Sequence, residues 1–158
     1  MFRTMRRFKQ QIPDCECIQI LKEEPRGILS VLGDDDYPYA FPMNFIYDEN
    51  ENKIYFHCAK EGHKIDAIIR HNKVSFCVYD KGYHKDGHWS LNIRSVITFG
   101  KIKIVEDREK ALAKIRSLAE KYYPDAPSID KEMAEHASRA LCLELEIEHM
   151  TGKLVNES

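Results

Sequence analysis

No stretch of this chain is apolar over anything near the ~18 residues of a spanning helix, so no transmembrane helix is expected. Surplus positive charge is also missing. The formal charge is -2 over 158 residues, so there is no global basic field to draw in nucleic acid or an anionic membrane surface. The start, MFRTMRRFKQQ, is basic but lacks the long apolar core of a signal peptide, and the expected compartment is the cytoplasm. The Gly-x-Gly-x-x-Gly fingerprint, the P-loop and the Gly-x-Ser-x-Gly elbow are all absent, as is a Cys–His nucleophile signature. A nucleotide would therefore have to be held by a barrel face and not by a Rossmann crevice. There is no internal repeat and no low-complexity segment.

Paired cysteines and metal spacings are scarce too. The five cysteines, Cys15, Cys17, Cys58, Cys77 and Cys142, are odd in number and scattered, and are expected to be free, mostly buried thiols. Cys15 and Cys17 fall in a predicted helix, where positions i and i+2 point to different sides and make a poor metal clamp. His57, His63 and His71 straddle a strand and a helix with no ligand completing the set. His84-x-x-x-His88 with Asp86 is closer to metal spacing but lies in a loop, and no metal site is expected.

What is present is globular: 43 % apolar and 32 % charged residues, read as one domain over 1–158. Residues 1–13 read as an arm, with Arg3, Arg6, Arg7 and Lys9 either solvated or reaching a neighbouring subunit or a ligand phosphate. Asp14 is expected to cap a helix through about Lys22. Strands are predicted over 28–32, 39–47 and 53–58, with turns at 33–36 and 48–52. A helix follows over 62–71 with Ile65, Ile68 and Ile69 as its buried stripe. Next come a strand over 74–79, a loop over 80–90, and a long strand over 91–105. The apolar positions of that long strand change from odd to even around Gly100, which predicts a bulge or bend. Asp107 is expected to cap a helix to Tyr122, and Ser128 a shorter one to about Ser138. The last strand, 141–147, alternates Leu141, Leu143, Leu145 and Ile147 inward with Glu144, Glu146 and Glu148 outward. This order, rich in hairpins, predicts an antiparallel β-barrel with attached helices, mainly β or α+β, and not a doubly wound sheet.

The stretch from Tyr37 to Lys64 carries the chemistry. It reads as strand, turn, strand, and then Gly62-His63-Lys64 opening a helix. Pro42 cannot donate a ladder hydrogen bond, so its strand lies at an edge or carries an irregularity. A cation in a helix's first turn opposes the macrodipole, and an anion bound there relieves that. Gly62 allows a ligand close approach. The plainer reading is that Lys64 points to water. His57, opposite Ile54 and Phe56 on its strand, either lines a ligand cavity or is a hydrogen-bonded interior histidine.

These residues resemble the FMN-binding split-barrel superfamily, the pyridoxamine 5′-phosphate oxidase-like group, and within it most nearly the nitroimidazole-resistance proteins. The matching stretches are Met5-Arg6-Arg7, Pro38-Tyr39 leading to Pro42-Met43-Asn44-Phe45, IYFHCAKEGHKIDAI from Ile54, Ser95-Val96-Ile97 with Phe99-Gly100, and His149-Met150-Thr151-Gly152-Lys153. The resemblance implies a six-stranded antiparallel split barrel that forms a homodimer, with two FMN sites at the interface. It implies that Pro42, Met43 and Asn44 run along the flavin ring, flanked by His57, Cys58 and Ala59. Gly62, His63 and Lys64 would meet the phosphate. Trp89, Arg94, Ser95 and Val96 would come from this or the other subunit. The functional histidine it implies is His57, with His63 second. The implied activity is FMN-dependent reduction of a small acceptor, a nitroaromatic among the candidates, with NAD(P)H as donor. A non-catalytic flavin- or haem-binding module is the alternative. No C-terminal Arg/Trp-rich clamp for pyridoxal phosphate is present, which argues against vitamin B6 oxidation.

Overall fold

Six strands of seven residues or more carry the architecture. The computed structural model describes residues 1–157. In chain order the elements are β1 (Gln11–Ile12), α1 (Asp14–Glu23), β2 (Arg26–Leu32), β3 (Pro38–Asn44), β4 (Ile46–Asp48), β5 (Lys53–Ala59), α2 (His63–Arg70), β6 (Lys73–Tyr79), β7 (Tyr83–His84), β8 (Leu91–Ile104), α3 (Arg108–Tyr122), α4 (Ala126–His136) and β9 (Ala140–Glu157). All ladders are antiparallel, in the order β3-β2-β6-β8-β9-β5-β4, with β1 added to β9 and β7 to β8. The predicted antiparallel barrel with helices is the observed fold. No helix among the described residues is long and apolar enough to cross a membrane.

The sheet curls because its two ends, β3 and β4, are consecutive in the chain with only Phe45 between them. The strand expected over 39–47 is therefore two. At Phe45 the chain leaves β2 and joins β5, so no ladder crosses the gap and the barrel is split there. Alternation survives the break: Phe41, Met43, Phe45 and Tyr47 all point inward and are buried. They pack with Leu29, Ile54, Phe56, Phe76, Val96 and Leu145 in one core. Burying such side chains, at about 1.5–3 kcal/mol each, is the main favourable term holding the barrel closed.

The bulge is where the sequence places it, but its cause differs. Phe99 pairs with His149 and Gly100 with Ile147, so the unpaired extra residue is Glu148, on β9. β8 keeps one phase throughout, with Val96, Thr98, Gly100 and Ile102 all buried. Ile97 and Phe99 are 40 % and 41 % exposed on its other face. The phase flip belongs to β9, whose inward residues run Leu141, Leu143 and Leu145 and then, past the bulge, Met150, Gly152 and Leu154. Gly100 is required by proximity: a Cβ there would lie 2.0 Å from the Glu146 carbonyl oxygen.

Other expectations are corrected locally. β9 runs to Glu157 and not to 147, because its second half pairs with β8 and β1. The 80–90 loop contains β7, and the arm contains β1. Asp125, not Ser128, caps α4, accepting from the Ser128 N–H at 2.8 Å, with Pro127 inside the first turn. Asp14 lies inside α1, preceded by Pro13. Ile69 is exposed, and Ala67 joins Ile65 and Ile68 in the buried stripe. All five cysteines are free, with Cys17 and Cys142 buried and Cys15 exposed.

Glu144, expected in solvent, is 1 % exposed. The outer sides of β5 and β9 are covered by α3 and α4 through Tyr55, Ala111, Ile115, Ala137 and Cys142. Beneath α3 the carboxylate accepts from Lys53 at 2.9 Å, Lys110 at 2.9 Å and Tyr55 at 3.1 Å. Burial raises its pKa, but those three hydrogen bonds outweigh burial and hold it at about 2.

Candidate functional site

The split leaves β3 with β2 on one side and no ladder on the other. Pro42 suits this edge position because no neighbour asks for its missing N–H. The break itself leaves the Phe45 backbone groups without strand partners although Phe45 is 0 % exposed. The end of α3 supplies them. The Phe45 N–H donates to the Tyr122 hydroxyl oxygen at 2.9 Å, and that hydroxyl sits 2.6 Å from the Pro25 carbonyl and 3.0 Å from the Phe45 carbonyl. The Lys121 ammonium donates to the Glu24 carbonyl at 2.8 Å and to the Phe45 carbonyl at 3.0 Å, 3.8 Å above the Phe45 ring. Burial pushes Lys121 down to about 8.

Around this gap lie most of the residues singled out from sequence. On β3, Pro42 is exposed on the outer face, Asn44 is half-buried on the same face, and Met43 points into the core. On β5, His57 faces outward, Cys58 packs against the core, and Ala59 is exposed at the strand's end. Three residues further on, Gly62 is the N-cap of α2 with φ 129°, and a Cβ there would meet nothing within 4 Å. Its left-handed backbone favours glycine, and the space above it is open. Lys64 is half-buried and folds over the rim, its Nζ 3.7 Å from Met43 Sδ and 4.7 Å from the Phe41 ring centre. No carboxylate pairs with it among the described residues, so its charge is available to an anion at the helix start. His63 turns the other way, stacking on Tyr39 at 4.2 Å and accepting from the Asp34 N–H at 3.2 Å.

Three of the four β8-side candidates are not assembled with these in one chain. Arg94 is locked to Asp80, with Nε to Oδ2 at 2.9 Å and its backbone N–H to Oδ1 at 3.0 Å. The Val96 side chain is in the core, and Trp89 is 80 % exposed in the β7–β8 loop. Along β9, Arg94 pairs with Leu154 whereas His57 pairs with Cys142, at opposite ends of that strand. Ser95 does face outward. It shares the outer sheet face with Ile97 and Phe99, and the row Pro42–Ile28–Cys77–Ile97–Thr151 crosses five strands on that face.

Behind the gap is a cavity of about 160 Å³ that the sequence did not reveal. Asn44 and His57 form one wall; Tyr122 and Tyr123 come from the end of α3, and Glu132 and His136 from α4. Its only signals in the sequence were the Tyr pair closing α3 and a Glu and a His one turn apart on α4. Burial lowers the His57 pKa, with Glu132 opposing this and Lys64 adding to it, so the imidazole is neutral at pH 7. Its cross-strand neighbour Cys142 is pushed by burial to about 12 and is no thiolate. The pair is therefore not a Cys–His nucleophile. A neutral imidazole at a cavity wall can instead accept a proton, or donate and accept hydrogen bonds.

Comparison with known proteins places this geometry. A search of curated protein sequences finds no match. The structure of a protein from Bacteroides thetaiotaomicron named for 5-nitroimidazole antibiotic resistance superposes with a TM-score of 0.77 at 23 % identity, covering 92 % of this chain and 87 % of that one. An FAD and haem binding protein from Mycobacterium smegmatis gives 0.71 at 19 % identity, with 94 % and 74 % covered. An FAD binding protein from the same organism gives 0.66 at 17 % identity, with 94 % and 99 % covered. At these identities the likeness establishes the fold. A family model, pyridoxamine 5′-phosphate oxidase, matches residues 13–154. Nine-tenths of the chain, including the β3 edge, the β5 exit and the start of α2, falls within that match, and the chain belongs to the pyridoxamine 5′-phosphate oxidase-like family of split barrels.

Proposed function

We propose that this chain is a flavin-dependent oxidoreductase that binds FMN and reduces a small acceptor, a nitroaromatic among the candidates, using a reduced nicotinamide as donor. The observation that carries the reading is the meeting of three features: an unpaired sheet edge at Ala40–Asn44, an open glycine N-cap at Gly62, and an uncompensated cation at Lys64. A phosphate suits the helix start, with its free N–H groups and Lys64 in its first turn. A flat ring suits the outer face of β3, whose Ala40 and Pro42 side chains are exposed, with Asn44 and His57 at its far end. Bound there, the flavin supplies hydride and electron transfer. His57, neutral and on the cavity wall, would take a proton from solvent on its free ring nitrogen and pass that proton to the reduced acceptor, returning to the neutral form.

The homodimer belongs to the same reading. Ile97, Phe99 and Tyr79 are 40 %, 41 % and 59 % exposed on one sheet face with Ile28, Cys77 and Thr151. An apolar face of that extent is suited to a second copy. Ser95, on this face, and Trp89, beside it, would then contribute from the partner. The structural likeness to an FAD and haem binding protein keeps a second reading in view, a binding module without turnover. Anaerobic addition of NAD(P)H to the FMN-loaded protein separates the two. Bleaching of the flavin bands, followed by reoxidation on adding a nitroaromatic, is expected. Bands that never bleach overturn the oxidoreductase, and a Soret shift on haem addition would favour the module.

A further inference from the structure

We propose that the cavity between β5, the end of α3 and α4 is a binding site for a single-ring molecule that is uncharged or cationic and carries an N–H or ammonium donor. Its volume is about 160 Å³. A cavity of about 150 Å³ holds one benzene, so one ring with a short substituent fits and a fused system does not. The side walls are apolar: Ile115, Leu118 and Ala119 from α3, with Ala137 and Ala140 beyond α4. The polar groups on the lining are Asn44, His57, Tyr122, Tyr123, Glu132 and His136, and only the Glu132 carboxylate among them is purely an acceptor. Among the described residues Glu132 is the one carboxylate on the lining, within electrostatic reach of His57, and its i+4 neighbour His136 holds Nε2 3.9 Å away. Tyr123 lines the cavity beside Glu132, and burial followed by that carboxylate raises its pKa. The Tyr122 hydroxyl is spent on backbone groups, and the donors left on the lining, the Asn44 amide and the His57 and His136 rings, carry no Lys or Arg charge to meet an anion. Lys64, whose charge acts on His57, is turned to Met43 and Phe41. A carboxylate-bearing ring would meet the Glu132 charge with no Lys or Arg among the described residues of the lining to offset it.

The cavity shares Asn44 and His57 with the flavin slot, so if the reading above holds, its occupant is the acceptor. Binding of the ring itself needs no flavin, and the test uses the cofactor-free chain. Three probes of equal ring size, benzylamine, aniline and benzoate, are titrated by calorimetry at pH 7.5. Benzylamine and aniline are expected to bind, with benzoate weaker by about tenfold or more. Glu132→Gln should remove most of that preference, and Ala140→Leu, which fills the cavity, should abolish binding of all three. Benzoate binding as tightly as benzylamine, or a Glu132→Gln protein with the preference intact, overturns the proposal. So does undiminished binding in Ala140→Leu. Should Ala140→Leu fail to fold, Glu132→Gln still decides. FMN titration of the same samples is the separate control. Ring binding without FMN binding refutes the flavin reading alone, and FMN binding without ring binding refutes this one alone.

Discussion

Removing one oxygen from Tyr122 tests how the split barrel is held. Its hydroxyl accepts from the Phe45 N–H and lies within hydrogen-bond distance of two carbonyls, at the one point where the sheet lacks a ladder. Phe45 is fully buried, so Tyr122→Phe leaves its N–H without a partner and without water. An unsatisfied buried donor costs about 1–3 kcal/mol. The Phe45 carbonyl keeps Lys121, but the Pro25 carbonyl loses the hydroxyl. The expected loss is about 2–3 kcal/mol in all, equivalent to roughly 5–10 °C in Tm for a chain of this size. Urea unfolding of the two proteins, followed by circular dichroism, measures it. Native-state hydrogen exchange should also show the Phe45 amide losing protection by more than its neighbours in the core of β3. Tyr123→Phe is the control, because Tyr123 is 39 % exposed and should change stability by less than about 1 kcal/mol. An unchanged unfolding midpoint for Tyr122→Phe, with the Phe45 amide still protected, would refute the reasoning.

Glu144 predicts a pH dependence. Its carboxyl has an ordinary value of 4.5 in the unfolded chain and about 2 in the folded one, so the unfolded chain takes up the proton first as pH falls. The stabilisation is complete well above pH 4.5 and is lost on acidification towards pH 2; it amounts to about 3 kcal/mol. Glu144→Gln should flatten the loss of stability between pH 5 and 2 by about that amount, measured by urea titration at each pH. A mutant profile parallel to the wild type would count against it. On the outer sheet face, Ile97→Asp should convert a dimer to a folded monomer in size-exclusion chromatography with light scattering. A variant that stays dimeric would remove this face from the interface.

Much of the fold was legible because hydrophobic alternation reports directly on which face of a strand is buried. Phe41, Met43, Phe45 and Tyr47 point inward exactly as their spacing requires, even across a break that the spacing could not reveal. The break depends on partners: the pattern is the same whether one strand pairs throughout with β2 or the chain changes from β2 to β5. The bulge was legible in place but not in origin. Ile97 and Phe99 look like core residues, and only the ladder register shows that they face outward and that Glu148 is the inserted residue. Glu144 looked solvated because alternation cannot tell an exposed outer face from one roofed by a helix; α3 supplies the roof and three hydrogen-bond donors. At the site, the local block from His57 to Lys64 was readable from a strand meeting a helix start. Lys121, Tyr122 and Glu132 were not, because they arrive from helices some 60–90 residues further along the chain. His63 was misleading for a similar reason: its neighbour Tyr39 belongs to a different strand and draws it away.

The central claim is that the start of α2 holds the phosphate of a flavin. Parallel titration of the purified protein with FMN and with riboflavin, which has the same ring but no phosphate, tests it most directly through fluorescence quenching. Wild-type protein should bind FMN about tenfold or more tightly than riboflavin, and Lys64→Ala should bring the two affinities together. FMN fluorescence left unquenched, or riboflavin and FMN bound equally well by the wild type, would contradict it.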